Sequence, residues 1–217
     1  MEIRKSLLVV LLIGFSSYSF AQSDKLSQDI LKGLSDKYKS FSTINAEFNY
    51  TIENAQDKTN DKQTGKVFLK GNKYKLLVSG QEVYCDGTTV WTYLMDSKEV
   101  QITDPNTKAD AITPANIFTM YDKGYQSKFV EEKPEGGKTT QVIDLTPLDK
   151  KKKFFKIRMT IDKNEKTIIK SKIFDKNGNN INYTINKLVH DTPLEDSMFT
   201  FVAKNFPGIE VIDLRDK

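Results

Sequence analysis

The sequence of 217 residues has one cysteine, Cys85, and one histidine, His190. A single cysteine excludes an internal disulfide, and one cysteine with one histidine offers no ligand cluster at the spacing of a zinc site. A catalytic thiol needs a base beside it, and these two residues lie far apart in the sequence. Cys85 is therefore interpreted as a small buried apolar residue, and neither a metal nor a cofactor is expected.

Enzyme signatures are also scarce. The chain has no G-x-S-x-G stretch, and its single histidine leaves no Ser/His/Asp set in view. The sequence therefore predicts that the protein is not an enzyme, and in particular not a lipid hydrolase.

A strong excess of one charge is missing as well. The formal net charge is +4, and acidic and basic residues are mixed along the chain, which argues against a nucleic-acid-binding protein. The one basic run is Lys150–Lys153, within TPLDKKKKFF. Two interpretations of this run stay open: a solvated strand start that protects a sheet edge, or a contact with an anionic membrane or a partner.

No apolar run is long enough to span a bilayer. The longest, Leu7 to Phe15, follows Arg4 and Lys5 and precedes Ser19-Phe20-Ala21, which fits a small-x-small cleavage site. This order predicts a secretory signal peptide over residues 1–21, cut before Gln22. No cysteine follows the run, so no lipidation site is expected at the new N-terminus, and residues 22–217 are expected to form one exported domain.

Two helices are predicted. In SDKLSQDILKGLSDKYKSF, apolar residues recur every fourth position from Leu26 to Tyr38, which indicates an amphipathic helix capped by Ser23 or Asp24. Thr113-Pro114 then resembles a cap followed by a first-turn proline, which predicts a second, short and very apolar helix in PANIFTMYDKGY.

Most of the remaining chain alternates between apolar and polar residues, as half-buried strands do. TINAEFNYTIE alternates strictly, and KKFFKIRMTID places Phe155, Ile157, Met159 and Ile161 on one face. Residues 55–65 are expected to be a polar loop, Asn177-Gly178 a hairpin turn, and the tail to hold a short strand around Phe199–Phe201. Together these patterns predict ten or eleven antiparallel strands.

This order of helix, strands, helix, strands predicts a mainly β (α+β) fold. A single large antiparallel sheet that curves around its own apolar face, covered by two helices, fits the one-sided strands better than a two-sheet sandwich. About eleven strands can enclose more room than side chains alone fill, so the pattern allows a cavity.

Several stretches, taken in order, resemble the periplasmic outer-membrane lipoprotein carrier family LolA. They are SFSTINAEFNYTI, GKVFLKGNKYKLLV, CDGTTVWTYLMDSKEVQI, DLTPLDKKKKFFKIRMTID with the hairpin that follows it, and MFTFVAKNFPGIEVIDLR. Each motif is weak alone, and their collinear order over nearly all of the chain after the predicted signal peptide is more specific.

The resemblance implies an unclosed β-barrel whose helices lid a hydrophobic cavity for acyl chains. It also implies a periplasmic, monomeric carrier that takes acylated lipoproteins from an inner-membrane ABC transporter and delivers them to an outer-membrane acceptor. A carrier is physically needed, because each acyl methylene exposed to water costs about 0.8 kcal/mol. A carrier of another lipid or glycolipid on the same fold is the second hypothesis, since a fold does not fix its cargo.

On this resemblance and the strand pattern, the acyl-chain cavity is predicted to be lined by Phe48, Tyr50, Tyr74, Leu76, Trp91, Tyr93, Ile157 and Met159. The lid is predicted at Ile117, Phe118 and Met120. Ordinary core packing is the alternative for each of these side chains.

The sequence departs from the family in one place. The family often has an arginine followed by proline at the turn before the F-x-W strand, where the arginine latches the lid. Gly71-Asn72 occupies this turn here, with Lys70 and Lys73 beside it, and a lysine does not reproduce the planar fork of arginine.

Overall fold

The computed structural model describes residues 17–54, 59–105, 114, 117–122 and 124–215. Within these ranges the chain forms one α-helix, α1 (Ser17–Lys39), three short 3₁₀ helices and twelve strands. The strands are β1 (Ile44–Asn54), β2 (Thr59–Lys70), β3 (Lys73–Val78), β4 (Gln81–Cys85), β5 (Val90–Leu94), β6 (Glu99–Thr103), β7 (Tyr125–Glu135), β8 (Lys138–Pro147), β9 (Phe154–Asp162), β10 (Thr167–Asp175), β11 (Asn179–His190) and β12 (Glu210–Asp213).

All twelve strands belong to one sheet, in the order β12-β6-β5-β4-β3-β2-β1-β11-β10-β9-β8-β7. Two antiparallel meanders, β1 to β6 and β7 to β11, meet where β1 pairs with β11. The last strand, β12, adds in parallel to β6. Since β12 and β7 remain as edges, the sheet is curved but unclosed, and the predicted mainly β fold is confirmed.

The first hairpin is longer than predicted. Residues 59–65, expected to be part of a polar loop, extend β2 so that it pairs with β1 over the whole length from Asn54 to Ile44. This pairing depends on backbone hydrogen bonds, which need no apolar alternation, so the hydrophobic pattern did not reveal it. Residues 55–58 lie outside the described ranges.

Helix α1 packs on the concave face of the sheet beside β7 and β10. Leu31, Leu34 and Tyr38 are buried there, while Leu26, predicted on the same stripe, is 41% exposed. The buried Ser27 instead faces the sheet, with its Oγ 2.8 Å from Ser127 Oγ on β7. The helix begins at Ser17, upstream of the caps predicted at Ser23 or Asp24.

The second helix predicted from residue 114 onward is not an α-helix in the described residues. Ile117–Thr119 form a turn and Met120–Asp122 a single 3₁₀ turn. The apolar residues of the segment still pack inward, because Phe118 and Tyr121 are buried in the same core cluster as the apolar residues of α1. Burial rather than helix propensity therefore decides the shape of this segment.

Two β-bulges change which side chains face inward. On β11, Asn186 is an extra residue opposite Glu47 and Phe48, which keeps both Leu188 and Ile185 on the concave face. On β9, the register jumps from Lys156 to Phe154, so Phe155 is the extra residue. Phe154 is consequently buried and Phe155 is 51% exposed, which corrects the prediction that Phe155 shares the inner face with Ile157.

The C-terminal segment crosses the outer face of the sheet. It contains 3₁₀ helices at Asp196–Phe199 and Ala203–Asn205 before β12, so the strand predicted around Phe199–Phe201 is wrong. Phe201 and Phe206 stack with ring centroids 4.6 Å apart and pack on the aromatic residues of β4 and β5.

None of the helices in the described ranges is long and apolar enough to cross a membrane. Residues 1–16 of the predicted signal peptide lie outside these ranges, and cleavage before Gln22 would remove the first five residues of α1. The signal peptide and the single domain at 22–217 stay predictions.

Candidate functional site: an apolar cavity beneath Phe118 and Tyr121

The concave face of the sheet is divided into a filled half and an open half. In the filled half, inward-facing side chains of β8 and β9 are completely buried, including Ile143, Leu145, Ile157 and Met159. Helix α1 makes its main sheet contacts with β7 and β10, and over β11, β1, β2 and β3 a cavity of about 350 Å³ remains. This volume is at the low end of pockets that enclose small molecules, roughly 300–1,000 Å³.

The walls of the cavity are mostly aliphatic and aromatic. Its floor comes from the sheet, and Pro114, Ile117, Phe118 and Tyr121 form its roof. The lining residues are Phe48, Tyr50, Val67, Leu76, Val78, Gln81, Pro114, Ile117, Phe118, Tyr121, Ile168, Ser171, Tyr183 and Ile185. A surface of this kind favours an apolar ligand, whose burial is driven by the removal of apolar area from water.

Three aromatic rings form one wall because β1 and β11 bring them together. Tyr50 pairs directly with Tyr183, and their ring centroids are 6.1 Å apart, with Phe48 6.3 Å from each. Burial, together with the neighbouring Tyr50, raises the pKa of Tyr183. The Tyr50 hydroxyl donates a hydrogen bond to Gln63 Oε1, so this wall combines apolar rings with polar tips.

Phe48 has space for its ring only because β2 carries a glycine opposite it. A Cβ atom on Gly65 would lie 2.4 Å from Cζ of Phe48 and 3.0 Å from the carbonyl oxygen of Leu77. Gly65 therefore shapes the cavity wall by its lack of a side chain.

The roof is fixed to helix α1 and to strand β10 through Tyr38. The Tyr38 ring stacks on the Phe118 ring, and its hydroxyl accepts a hydrogen bond of 3.1 Å from the backbone N–H of Ile168. Burial raises the pKa of Tyr38 to about 12. Burial also raises the pKa of Tyr121, which lies in the roof near Tyr125 and Tyr38. Both hydroxyls therefore stay protonated at neutral pH.

Of the residues predicted for the cavity and lid, five lie together around it: Phe48, Tyr50, Leu76, Ile117 and Phe118. Tyr74, Ile157 and Met159 face the same concave side, but they are packed in the filled core. Met120 is half-buried against that core.

Trp91 and Tyr93 do not lie at the cavity. They pair with Tyr84 and Glu82 on β4 and point to the outer face of the sheet, where Tyr93 lies 4.9 Å from Phe206 by ring centroids. The prediction put both residues in the cavity on the family resemblance and the strand pattern. Alternation shows only that two faces differ, and here the C-terminal segment makes the outer face apolar as well.

Sequence reasoning missed most of the cavity floor outside β1 and β3. Tyr183 and Ile185 alternate clearly along β11, but only the β1–β11 pairing shows that they lie beside Tyr50 and Phe48. Ile168 and Ser171 are an odd number of residues apart on β10, yet both line the cavity, because a register shift lies between them. Regular alternation would place them on opposite faces, so it cannot predict both.

At the Gly71-Asn72 turn, where the family places its arginine, the flanking lysines bind the C-terminal segment. Lys70 Nζ lies 2.8 Å from Asp196 Oδ1 and 2.9 Å from the carbonyl oxygen of Leu194, and Lys73 Nζ lies 2.7 Å from Asp196 Oδ2. The hydrogen bonds from these two lysines lower the pKa of Asp196 to about 2. In the described ranges, this turn is thus joined to the region after β11.

Cys85 and His190 occupy separate places. Burial raises the pKa of the Cys85 thiol, which makes it a poor nucleophile. The His190 ring stacks on Phe41 at 4.0 Å, and its Nδ1 lies 2.8 Å from Asp191 Oδ2. Within the described residues, no group of three His, Cys, Asp or Glu side chains is placed to hold a metal ion.

Comparison with known families gives a match over residues 39–202 to the family model described as outer membrane lipoprotein carrier protein LolA. This range covers the whole cavity floor and its roof. A comparison with curated protein sequences gives no significant match.

Solved structures share the fold at low sequence identity. An uncharacterized conserved protein from Thermus thermophilus is 11% identical with a TM-score of 0.58, and the match covers 87% of this chain and 99% of that one. Lipoprotein LppX from Mycobacterium tuberculosis is 14% identical with a TM-score of 0.50, covering 80% and 99%. A DUF1329 family protein from Desulfovibrio piger is 13% identical with a TM-score of 0.50, covering 82% and 97%.

Proposed function

Since this chain belongs to the outer membrane lipoprotein carrier protein LolA family, we propose that it is a periplasmic carrier whose cavity holds the acyl chains of lipoproteins. In this function the protein receives its cargo from an inner-membrane ABC transporter and passes it to an outer-membrane acceptor. It acts by binding and not by covalent chemistry.

The observation that carries the proposal is the apolar cavity between the sheet and the roof residues Pro114, Ile117, Phe118 and Tyr121. Its lining consists of aliphatic and aromatic side chains with few polar tips, which suits an alkyl chain and offers little to a polar ligand. The buried rings of Phe118 and Tyr121 close the cavity from above. Cargo with several chains exceeds about 350 Å³, so its entry requires the roof to move outward.

The direct test is binding of a synthetic acylated lipopeptide to the purified protein, measured by calorimetry. Ile185→Trp adds a large ring inside the cavity and is expected to weaken binding at least tenfold. Thr184→Trp is the matched control, since Thr184 is the next residue on β11 and is exposed on the opposite face. Equal affinity of the two variants would contradict binding in this cavity.

The identity of the cargo needs a second measurement. Mass spectrometry of lipids and lipopeptides that co-purify from the cell envelope is expected to recover acylated lipoproteins. Recovery of a free lipid or glycolipid instead, lost in Ile185→Trp and kept in Thr184→Trp, would support the same cavity with another cargo.

A further inference from the structure

The loop between β8 and β9 concentrates most of the positive charge that the chain does not neutralise. This loop together with the first three residues of β9, residues 148–156, is called the basic loop below. It contains five lysines and one aspartate, so its net charge of +4 equals that of the whole chain.

Three lysines of the basic loop have no acidic partner in the described part of the chain. Lys150, Lys151 and Lys153 are exposed and form no ion pair there. The carboxylates of the basic loop and of the adjoining β10–β11 turn, Asp149 and Asp175, each accept a backbone N–H of their own turn, from Lys151 at 2.8 Å and from Asn177 at 2.7 Å. The three ammonium groups are therefore available to an anionic surface.

Two large apolar side chains stand at the ends of the lysine run. Leu148 is 67% exposed, and Phe155, the residue pushed outward by the bulge on β9, is 51% exposed. The Phe155 ring lies 6.0 Å from the Phe174 ring, which in turn has Lys156 Nζ 4.2 Å above it. Exposed apolar groups thus alternate with cations across this surface.

The basic loop has a fixed shape. The backbone N–H of Lys176, in the β10–β11 turn, donates to the carbonyl oxygen of Lys153 at 2.9 Å, and its Nζ donates to that of Lys150 at 2.6 Å. These bonds hold the loop against the neighbouring turn, so docking would order little further chain.

The basic loop also lies at the cavity end of the sheet. The N–H of Leu148 donates to the carbonyl oxygen of Gly124 at 3.0 Å, directly after the roof segment. The β10–β11 turn that contacts the loop is also close in sequence to the cavity lining. Ser171 lies four residues before the end of β10 at Asp175, and Tyr183 lies four residues after the start of β11 at Asn179. A surface that meets the basic loop is therefore close to the roof of the cavity.

We infer that the basic loop docks the protein on the surface of an anionic lipid bilayer, with Leu148 and Phe155 entering the headgroup region. Clustered lysines beside exposed apolar side chains are the combination that binds such surfaces. Every cation of the loop is lysine, a compact and strongly hydrated charge that is depleted at protein interfaces, where arginine is enriched. This chemistry favours a diffuse lipid surface over an acidic protein, and the inference does not depend on what the cavity carries.

The test is flotation of the purified protein, without any lipopeptide, with vesicles of phosphatidylcholine alone or with phosphatidylglycerol added. Binding is expected only to the vesicles that contain phosphatidylglycerol, and it should fall as salt is raised. The variant K150E/K151E should bind at least about tenfold more weakly, since each lysine near the surface contributes severalfold to affinity. K187E/K204E makes the same charge change at exposed sites away from the loop and should bind like the original protein.

The apolar contribution has its own matched pair. L148S/F155S is expected to bind severalfold more weakly, while V211S/L214S, which changes two comparably exposed apolar residues near the C-terminus, should not. Circular dichroism and thermal unfolding establish that all four variants are folded.

Two results would overturn the inference. Equal loss in K150E/K151E and K187E/K204E would mean that overall charge, and not the loop, attracts the vesicles. Failure of the original protein to bind either vesicle, combined with salt-sensitive binding to polyglutamate that K150E/K151E loses, would assign the loop to an acidic protein partner. Ile185→Trp should leave vesicle binding unchanged, so failure of the cavity proposal and failure of this one give different results.

Discussion

The ring of Tyr38 on helix α1 lies parallel to the ring of Phe118 in the cavity roof, with centroids 4.8 Å apart and 9° between the planes. The same tyrosine accepts a hydrogen bond from the N–H of Ile168, a residue that lines the cavity. One side chain thus connects the helix, the roof and the sheet. Opening of the roof must separate this stacked pair or move it as a unit.

Removing the Tyr38 hydroxyl should lower the free energy of unfolding by about 1–3 kcal/mol, because Tyr38→Phe leaves the buried N–H of Ile168 without its acceptor. The measurement is urea unfolding at neutral pH. The free energy of unfolding of Tyr38→Phe is compared with that of Tyr125→Phe, which removes the hydroxyl of a half-buried tyrosine beside Phe154. An unchanged stability of Tyr38→Phe would show that another acceptor satisfies this N–H.

The stacking itself is tested by a double-mutant cycle of Tyr38→Leu and Phe118→Leu. Aromatic pairs contribute about 0.5–1.5 kcal/mol beyond their buried area. The double variant should therefore lose less free energy of unfolding than the sum of the two single losses, by about that amount. If the roof opens by separating the pair, Phe118→Leu should also speed the uptake of a lipopeptide in stopped-flow experiments. Strict additivity with unchanged uptake would contradict a role of the pair in closure.

Gly65→Ala should damage the cavity wall, because the new Cβ would overlap the Phe48 ring. Overpacking of this kind costs about 1–3 kcal/mol, and displacement of Phe48 should also weaken lipopeptide binding. Gly33→Ala is the matched control, since its Cβ would meet only the flexible side chain of Lys166, with Cδ at 3.8 Å and Nζ at 4.0 Å. That substitution lies within α1 and should stabilise the protein by about 0.5–1 kcal/mol. Equal behaviour of the two variants would mean that the wall yields easily.

The position of Trp91 on the outer face predicts that acyl chains bound in the cavity quench its fluorescence only weakly. A lipopeptide brominated along its acyl chains should quench Trp91 weakly, because this residue lies on the outer face of the sheet. In a Trp91→Phe background, Tyr183→Trp should be quenched strongly and Thr184→Trp weakly, since only the first lies at the cavity. Strong quenching of Trp91 in the unaltered protein would contradict this placement of the chains.

Acid should release the C-terminal segment from the β2–β3 turn. The pKa of Asp196 is lowered to about 2 by Lys70 and Lys73, so its stabilising contribution is complete above its ordinary value of 3.8 and is lost as pH falls toward 2. The protection of the amides around residues 194–200, measured relative to their intrinsic exchange rate at each pH, should therefore fall below about pH 4. Asp196→Asn should show the lower protection already at neutral pH and little further change on acidification, whereas a pH response of protection equal to that of the unaltered protein would exclude Asp196 as the cause.

Much of the fold was predictable because strand alternation is a local property. The alternation of Ile44 to Ile52 and of Tyr74 to Val78 correctly placed those strands, and the one-sided pattern correctly favoured a single curved sheet. The site was predictable in part: Phe48, Tyr50 and Leu76 lie at the cavity since each is on the inner face of a strand that α1 does not cover.

Only the tertiary structure decided the rest. The face on which an apolar side chain is buried depends on what packs there, and the C-terminal segment covers Trp91 and Tyr93 on the outside. The bulge at Phe155 inverts the local alternation, which places a phenylalanine in solvent beside the lysines. The sequence alone thus determined most of the strands, the amphipathic helix α1 and the basic run, because these follow from neighbouring residues. Pairing, bulges and long-range packing determined which face holds the cavity, because they depend on contacts between residues far apart in the chain.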